Sequence, residues 1–217
     1  MKIYILRHGE TALNAGGVIQ GWLDEPLNEN GRRLAALSGQ GMKGIRFDHC
    51  ISSPFIRAKE TAEIVLRESG NNAEITFDDR IREINFGDLE GKSLAEAGSK
   101  YYPFYTDPLH FAGFPNGESI GDVCVRTQAF LNELLAKDDG KVYLISTHGC
   151  AMRAMVNFLK DDPSDYWYGH APYNCSVTIV ETENGTPRIT AVDKVYYDSS
   201  LIVDHFKQTG LTRENNE

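Results

Sequence analysis

Two apolar runs in this chain end in the same way. Ile3-Tyr4-Ile5-Leu6 breaks into Arg7-His8-Gly9, and Val142-Tyr143-Leu144-Ile145-Ser146-Thr147 breaks into His148-Gly149. Short apolar runs bounded by turn residues read as buried strands, and a helical pattern follows the second one at once. Laid parallel in one sheet, the two strands put both His-Gly junctions on a single edge. That is the edge at which open α/β sheets bind ligands. Arg7 adds a cation there, so the edge suits an anion. A pair of ordinary turn histidines is the competing reading.

Strand-like and helix-like stretches alternate along the chain. Strands are expected at 2–7, 47–52, 74–77 and 141–146. Helices are expected at 28–39, capped by Asn28, at 54–66, capped by Ser53 with Pro54 in the first turn, at 119–137 and at 151–160. Late strands at 175–181 and 188–197 flank the turn Glu183-Asn184-Gly185. This alternation predicts an α/β fold, a mostly parallel sheet covered by helices on both faces. The 217 residues fit one domain spanning 1–217, with a polar tail, 199–217, expected to fray. Gly39-Gln40-Gly41-Met42-Lys43-Gly44 matches the spacing of a dinucleotide loop. It follows a helix and precedes a strand, the reverse of what such a loop needs, and reads as a helix stop.

The net charge of −9 disfavours nucleic acid and anionic membranes as partners. No apolar run is long enough to cross a bilayer, and no export signal is apparent. Cys50, Cys124, Cys150 and Cys175 are scattered, which argues against a zinc site or a disulfide framework and suits a cytoplasmic location.

Two further segments bear on the anion edge. Ser52-Ser53-Pro54 runs into a helix with Arg57 in its first turn. A cation there opposes the helix dipole unless an anion joins it, though a surface arginine is the commoner fate. In Arg82-Glu83-Ile84-Asn85-Phe86-Gly87, Glu83 stands among apolar and aromatic neighbours, a setting suited to a proton donor. A solvated loop glutamate is the alternative.

Taken in order, these pieces resemble the histidine phosphatase superfamily, in its phosphoglycerate mutase-like branch. The matching residues are Arg7-His8-Gly9-Glu10-Thr11 with Asn14, Gln20-Gly21-Trp22, Leu27-Asn28-Glu29-Asn30-Gly31, Ser52-Ser53-Pro54 with Arg57, Arg82-Glu83 with Phe86-Gly87 and Glu90-Gly91, and Thr147-His148-Gly149. The resemblance implies a three-layer α/β/α sandwich. It implies His8 as a nucleophile that becomes phosphohistidine and Glu83 as general acid, then base. Arg7, Arg57 and His148 would bind the phosphoryl oxygens with help from Asn14, while Gln20, Gly21 and the backbone of Gly149 line the pocket.

Such chemistry needs no metal and no cofactor. Two guanidiniums fork onto phosphoryl oxygens, and positioning with electrostatics supplies most of the catalysis. The other nitrogen of His8 needs an acceptor, with a backbone carbonyl expected. Hydrolysis of a small phosphate ester is expected, with a cofactor-dependent mutase as the runner-up. The segment after Glu90-Gly91 is aromatic where a mutase would want cations for a carboxylate. Cys150 follows His148-Gly149 where the glycolytic mutases tend to carry Asn, and Pro115-Asn116-Gly117-Glu118-Ser119 resembles phosphatase members. A phosphate-binding module without catalysis would lack the nucleophile or the acid, and both are present. Residues 99–118 are read as an aromatic lid over an apolar or ring-bearing leaving group. The late strands could pair across a homodimer.

Overall fold

The computed structural model describes residues 1–204. Its centre is β1 (Lys2–Arg7), whose side chains alternate between two faces. Tyr4 and Leu6 join one buried cluster, while Ile3 and Ile5 join another on the opposite side. A strand apolar on both faces must be covered on both, and the helices divide accordingly.

On the first face lie α1 (Glu29–Gly41) and α2 (Ile56–Ser69), contributing Leu34, Ala35, Ala62 and Val65. On the second lie α3 (Ile120–Leu135) and α4 (Gly149–Val156), contributing Phe130, Leu131, Met152 and Met155. Between them, six strands run in the order β3-β2-β4-β1-β5-β6, with β2 at His49–Ser52, β3 at Ile75–Phe77, β4 at Val142–Thr147, β5 at Val177–Glu183 and β6 at Thr186–Lys194. β1, β2, β3 and β4 pair in parallel; β5 and β6 add an antiparallel edge. The result is the expected three-layer α/β/α sandwich with a mostly parallel sheet.

Register places the site. Arg7 pairs with Thr147 and Ser52 with Ser146, so three strands end together. His8, Ser53 and His148 are the next residues out.

Several local expectations need correction. Ser53 does not cap the second helix, which begins at Ile56 with Phe55 as an N-cap that makes no side-chain bond. Asp24, far away in sequence, accepts from the Ile56 amide at 2.7 Å instead. The helix expected to start at 151 starts at Gly149 and tightens into a 3-10 turn at Asn157–Leu159. Gly39 and Gly41 lie inside α1 rather than beyond it. A Cβ on Gly41 would stand 2.0 Å from the Tyr196 carbonyl oxygen, so its small size serves close packing. At the chain's end, Ser199–Leu201 form a 3-10 turn and Leu201 packs on the core. The remainder of the tail, 205–217, lies outside the described residues.

The aromatic segment folds into three short turns, Ser99–Tyr101, Pro103–Thr106 and Pro108–His110. Phe104 anchors it, with the rings of Phe86, Phe111, Phe114 and Trp167 at centroid distances of 5.5, 5.9, 5.2 and 5.4 Å. Part of the segment is therefore core, in a third cluster with Ile84, Leu89 and Tyr166.

Candidate active site

The strand ends open into a cavity of about 190 Å³. Arg7, His8, Asn14, Gln20, Gly21, Arg57, Glu83 and Gly149 all line it. Eight of the nine residues singled out from sequence thus share one wall. The ninth, His148, sits behind that wall, fully buried.

The His8 ring is held in one orientation. Its Nδ1 lies 2.7 Å from the Gly9 carbonyl oxygen, the backbone acceptor expected for it. The Nδ1–H donates there, which leaves Nε2 as the lone-pair nitrogen. Gly9 has no room for a side chain, since a Cβ would meet the Gly31 carbonyl oxygen at 2.7 Å. Its amide donates to Thr61 Oγ1 at 2.9 Å, fixing the turn to α2. Burial, then the charges of Arg57 and Arg7, push the His8 pKa well below 6.5. The ring is therefore held in its neutral form at neutral pH.

Arg57 is 1% exposed, far from the usual surface arginine. Nη2 donates to the Gly21 carbonyl at 2.6 Å, Nη1 to the Leu23 carbonyl at 2.9 Å and Nε to His148 Nδ1 at 3.2 Å. Burial lowers its pKa to about 10, so it stays charged. Gly21 sits at φ +48°, in the left-handed region that favours glycine, with the Phe86 ring also close to where a Cβ would stand, at 2.8 Å. Arg7 donates through Nη1 to the Pro172 carbonyl, and its buried Nε has no partner among the described residues. An unpaired buried guanidinium N–H beside the cavity is a donor in want of an anion.

Because His148 Nδ1 accepts from Arg57, the ring proton is on Nε2, which donates to Ser53 Oγ at 2.8 Å. Both nitrogens are taken. The ring centroid lies 5.1 Å from that of His8. Burial first, then Arg57, push its pKa well below 6.5.

Glu83 caps α4. Oε1 accepts from the amides of Ala151 at 3.1 Å and Ile84 at 3.0 Å, and Oε2 from that of Cys150 at 3.3 Å. Apolar neighbours were visible in the sequence; three backbone N–H groups holding the carboxyl oxygens in place were not. Asn14 and Gln20 are set by Asn174 and Thr11. Asn14 Oδ1 accepts from Asn174 Nδ2 at 3.4 Å, and Gln20 Oε1 from Thr11 Oγ1 at 2.8 Å. Asn174 also donates to the His8 carbonyl at 3.1 Å.

The sequence reading missed Ser53 as a partner of His148, Asn174 as a link between His8 and Asn14, and Thr61. Ser53 carries a helix-cap signal in the sequence, but its hydroxyl pairs with His148. Nothing near Asn174 in sequence signals its role.

The sequence model of the histidine phosphatase superfamily (branch 1) matches residues 3–194. The chain belongs to that superfamily. A protein of Salmonella arizonae named "probable phosphoglycerate mutase GpmB" is 33% identical over 184 residues, 83% of this chain and 85% of that protein. Among solved structures, the superfamily member YhfR of Bacillus stearothermophilus superposes with a TM-score of 0.81 at 32% identity, covering 89% of this chain and 97% of its own. The phosphoserine phosphatase of Entamoeba histolytica, solved as a mutant with phosphoserine, gives 0.75 at 27% identity, with 89% and 96% covered. Relatives within the superfamily thus carry both mutase and phosphatase names.

Proposed function

We propose that the protein hydrolyses a small phosphate ester through a phosphohistidine on His8. The observation that carries this reading is the grouping of Arg7, His8, Arg57, Glu83 and Gly149 around one end of a cavity whose remainder is mostly apolar. Nε2 of His8 attacks phosphorus in line, while Arg7 and Arg57 take up the charge on the equatorial oxygens. The ester P–O bond breaks as Glu83 gives its proton to the departing alkoxide. Glu83, now a carboxylate, takes a proton from water, which attacks the phosphohistidine. The P–N bond breaks, phosphate leaves and His8 is neutral again. His148 holds Arg57 in place and anchors to Ser53.

Charge development is met by side chains, so no metal and no cofactor is assigned, and a chelator is expected to leave the rate unchanged. The partner is a small-molecule phosphate ester; neither nucleic acid nor membrane is assigned. Among the described residues no helix is long and apolar enough to span a membrane.

Hydrolysis is favoured over mutase activity by the outer cavity. Among its described lining residues, Arg7 and Arg57 are the only cations, and both belong to the phosphoryl end. The rest of the lining includes Leu94, Phe104, Tyr105, Trp167, Tyr173 and Asp204. Among these described residues a substrate carboxylate meets no cation beyond the phosphoryl end, whereas an apolar or ring-bearing leaving group would bury its surface. A phosphate-release screen over aryl, alkyl, sugar and phosphoglycerate esters tests this. Aryl and apolar alkyl esters should be turned over best; efficient isomerisation of phosphoglycerate with a bisphosphoglycerate primer would establish the mutase instead.

A further inference from the structure

The loop that carries Glu83 is gripped by a side chain that the chemistry above does not use. Arg126 lies in the second turn of α3, and each of its five N–H groups has a fixed partner. Nε and one Nη2 N–H reach the two carboxylate oxygens of Glu118 at 2.8 and 2.9 Å, a bidentate pair. The other Nη2 N–H donates to the Glu83 carbonyl at 2.9 Å. Nη1 donates to the carbonyls of Arg80 and Arg82 at 2.8 and 2.6 Å.

Glu118 holds the far side of the same loop. Its Oε2 accepts from the Asn85 amide at 2.9 Å, and its own amide donates to the Asn85 carbonyl at 2.8 Å. The two loops touch without side chains between them. A Cβ at Gly117 would stand 2.4 Å from the Asn85 carbonyl oxygen, and one at Gly87 would stand 2.1 Å from that of Pro115. The backbone is therefore fixed both before and after Glu83, while the carboxylate end is fixed by the amides of α4.

We propose that Arg126 and Glu118 are positioning residues for proton transfer, clamping the Glu83 backbone so that its carboxyl meets the leaving-group oxygen. The inference rests on the proposed role of Glu83. The side chains are 18% and 20% exposed and lie outside the buried clusters, so the fold does not depend on them as it does on core residues. A small displacement of an acid whose geometry is fixed at both ends costs rate directly. Lysine could not replace Arg126, since one ammonium cannot fork across a carboxylate and reach three carbonyls at once.

The test compares kcat/KM for para-nitrophenyl phosphate, whose leaving group departs unprotonated, with that for phenethyl phosphate, whose alkoxide needs a proton. Glu83→Gln sets the reference. Arg126→Met is expected to lower kcat/KM for phenethyl phosphate by about 30-fold or more and that for para-nitrophenyl phosphate by under about threefold, since a positioned acid is worth roughly 100-fold or more. Arg126→Lys should not restore the loss. Glu118→Gln, which keeps an oxygen for the Asn85 amide, should show a smaller split in the same direction and decides the matter if Arg126→Met does not fold. Equal losses on both substrates, or none, would overturn the positioning role. If Glu83→Gln itself shows no split, the general acid is wrong and the clamp falls with it. A wild-type enzyme that hydrolyses neither ester would instead defeat the proposed phosphatase activity.

Discussion

At the residue scale, the two buried histidines are the sharpest consequence of the geometry. Both have pKa values pushed well below 6.5, by burial first and the neighbouring guanidiniums next. In the unfolded chain each returns to about 6.5 and binds a proton as pH falls below that value. The unfolded state then holds more protons, so stability is full above about pH 6.5 and drains away as pH falls. Each histidine contributes up to about 1.4 kcal/mol for every pH unit between the two pKa values. Melting at several pH values should show Tm falling between pH 7 and 5.5, with His148→Asn flattening the slope. A Tm constant over that window would contradict the buried neutral pair. Ser53 belongs to the same scale. Ser53→Ala leaves the Nε2–H of His148 unpaired and should cost about 1–3 kcal/mol of stability, read by denaturant unfolding, with kcat lowered about tenfold as Arg57 loses its fixed neighbour. His8, His148 and Arg57 were legible in the sequence because each follows an apolar run that announces a strand end. Ser53 was mislabelled because Ser-Pro at a helix start is a good local cap signal. Here the hydroxyl is taken by a histidine 95 residues away, and local propensity cannot see that far.

At the element scale, the site depends on turns pressed together without side chains. Gly31 in the first turn of α1 lies so close to β1's outgoing turn that a Cβ would meet the Glu10 carbonyl oxygen at 2.1 Å. Gly31→Ala must push backbone rather than a flexible side chain. It should cost at least about 2 kcal/mol, seen as a lower Tm, and should loosen the turn that holds His8. A variant as stable as the wild type would contradict the close approach. The strands and long helices were readable from periodicity to within a few residues. Element ends were read less well where a distant group replaces the local cap, as Asp24 does for α2 and Glu83 does for α4. The Arg126–Glu118 clamp was invisible for the same reason, because the carbonyls of Arg80 and Glu83 are 46 and 43 residues away from Arg126.

At the scale of the whole molecule, the proposed mechanism draws its phosphoryl chemistry from one sheet edge and its leaving-group surface from the aromatic segment. The first was legible because its residues come in an ordered set; the second was legible only as aromatic, since packing decides which rings face the cavity. Phe104 turned out to be core and cavity wall together, 3% exposed. Placing a cation on the outer wall should therefore shift preference. Tyr105→Arg is expected to lower kcat/KM for apolar aryl esters several-fold and raise it for phosphoglycerate, in phosphate-release assays under matched conditions. No change in the ratio would remove the outer wall from specificity. The membership of the superfamily leaves the fate of the phosphoryl group as the central question, and the covalent intermediate answers it. In Glu83→Gln mixed with para-nitrophenyl phosphate, nitrophenolate can leave unaided while water is not activated. Quenching that mixture and measuring intact mass should show one phosphoryl group per chain, mapped to His8 and absent when His8→Ala is added. A chain that releases nitrophenolate steadily without ever carrying a phosphoryl group on His8 would contradict the mechanism.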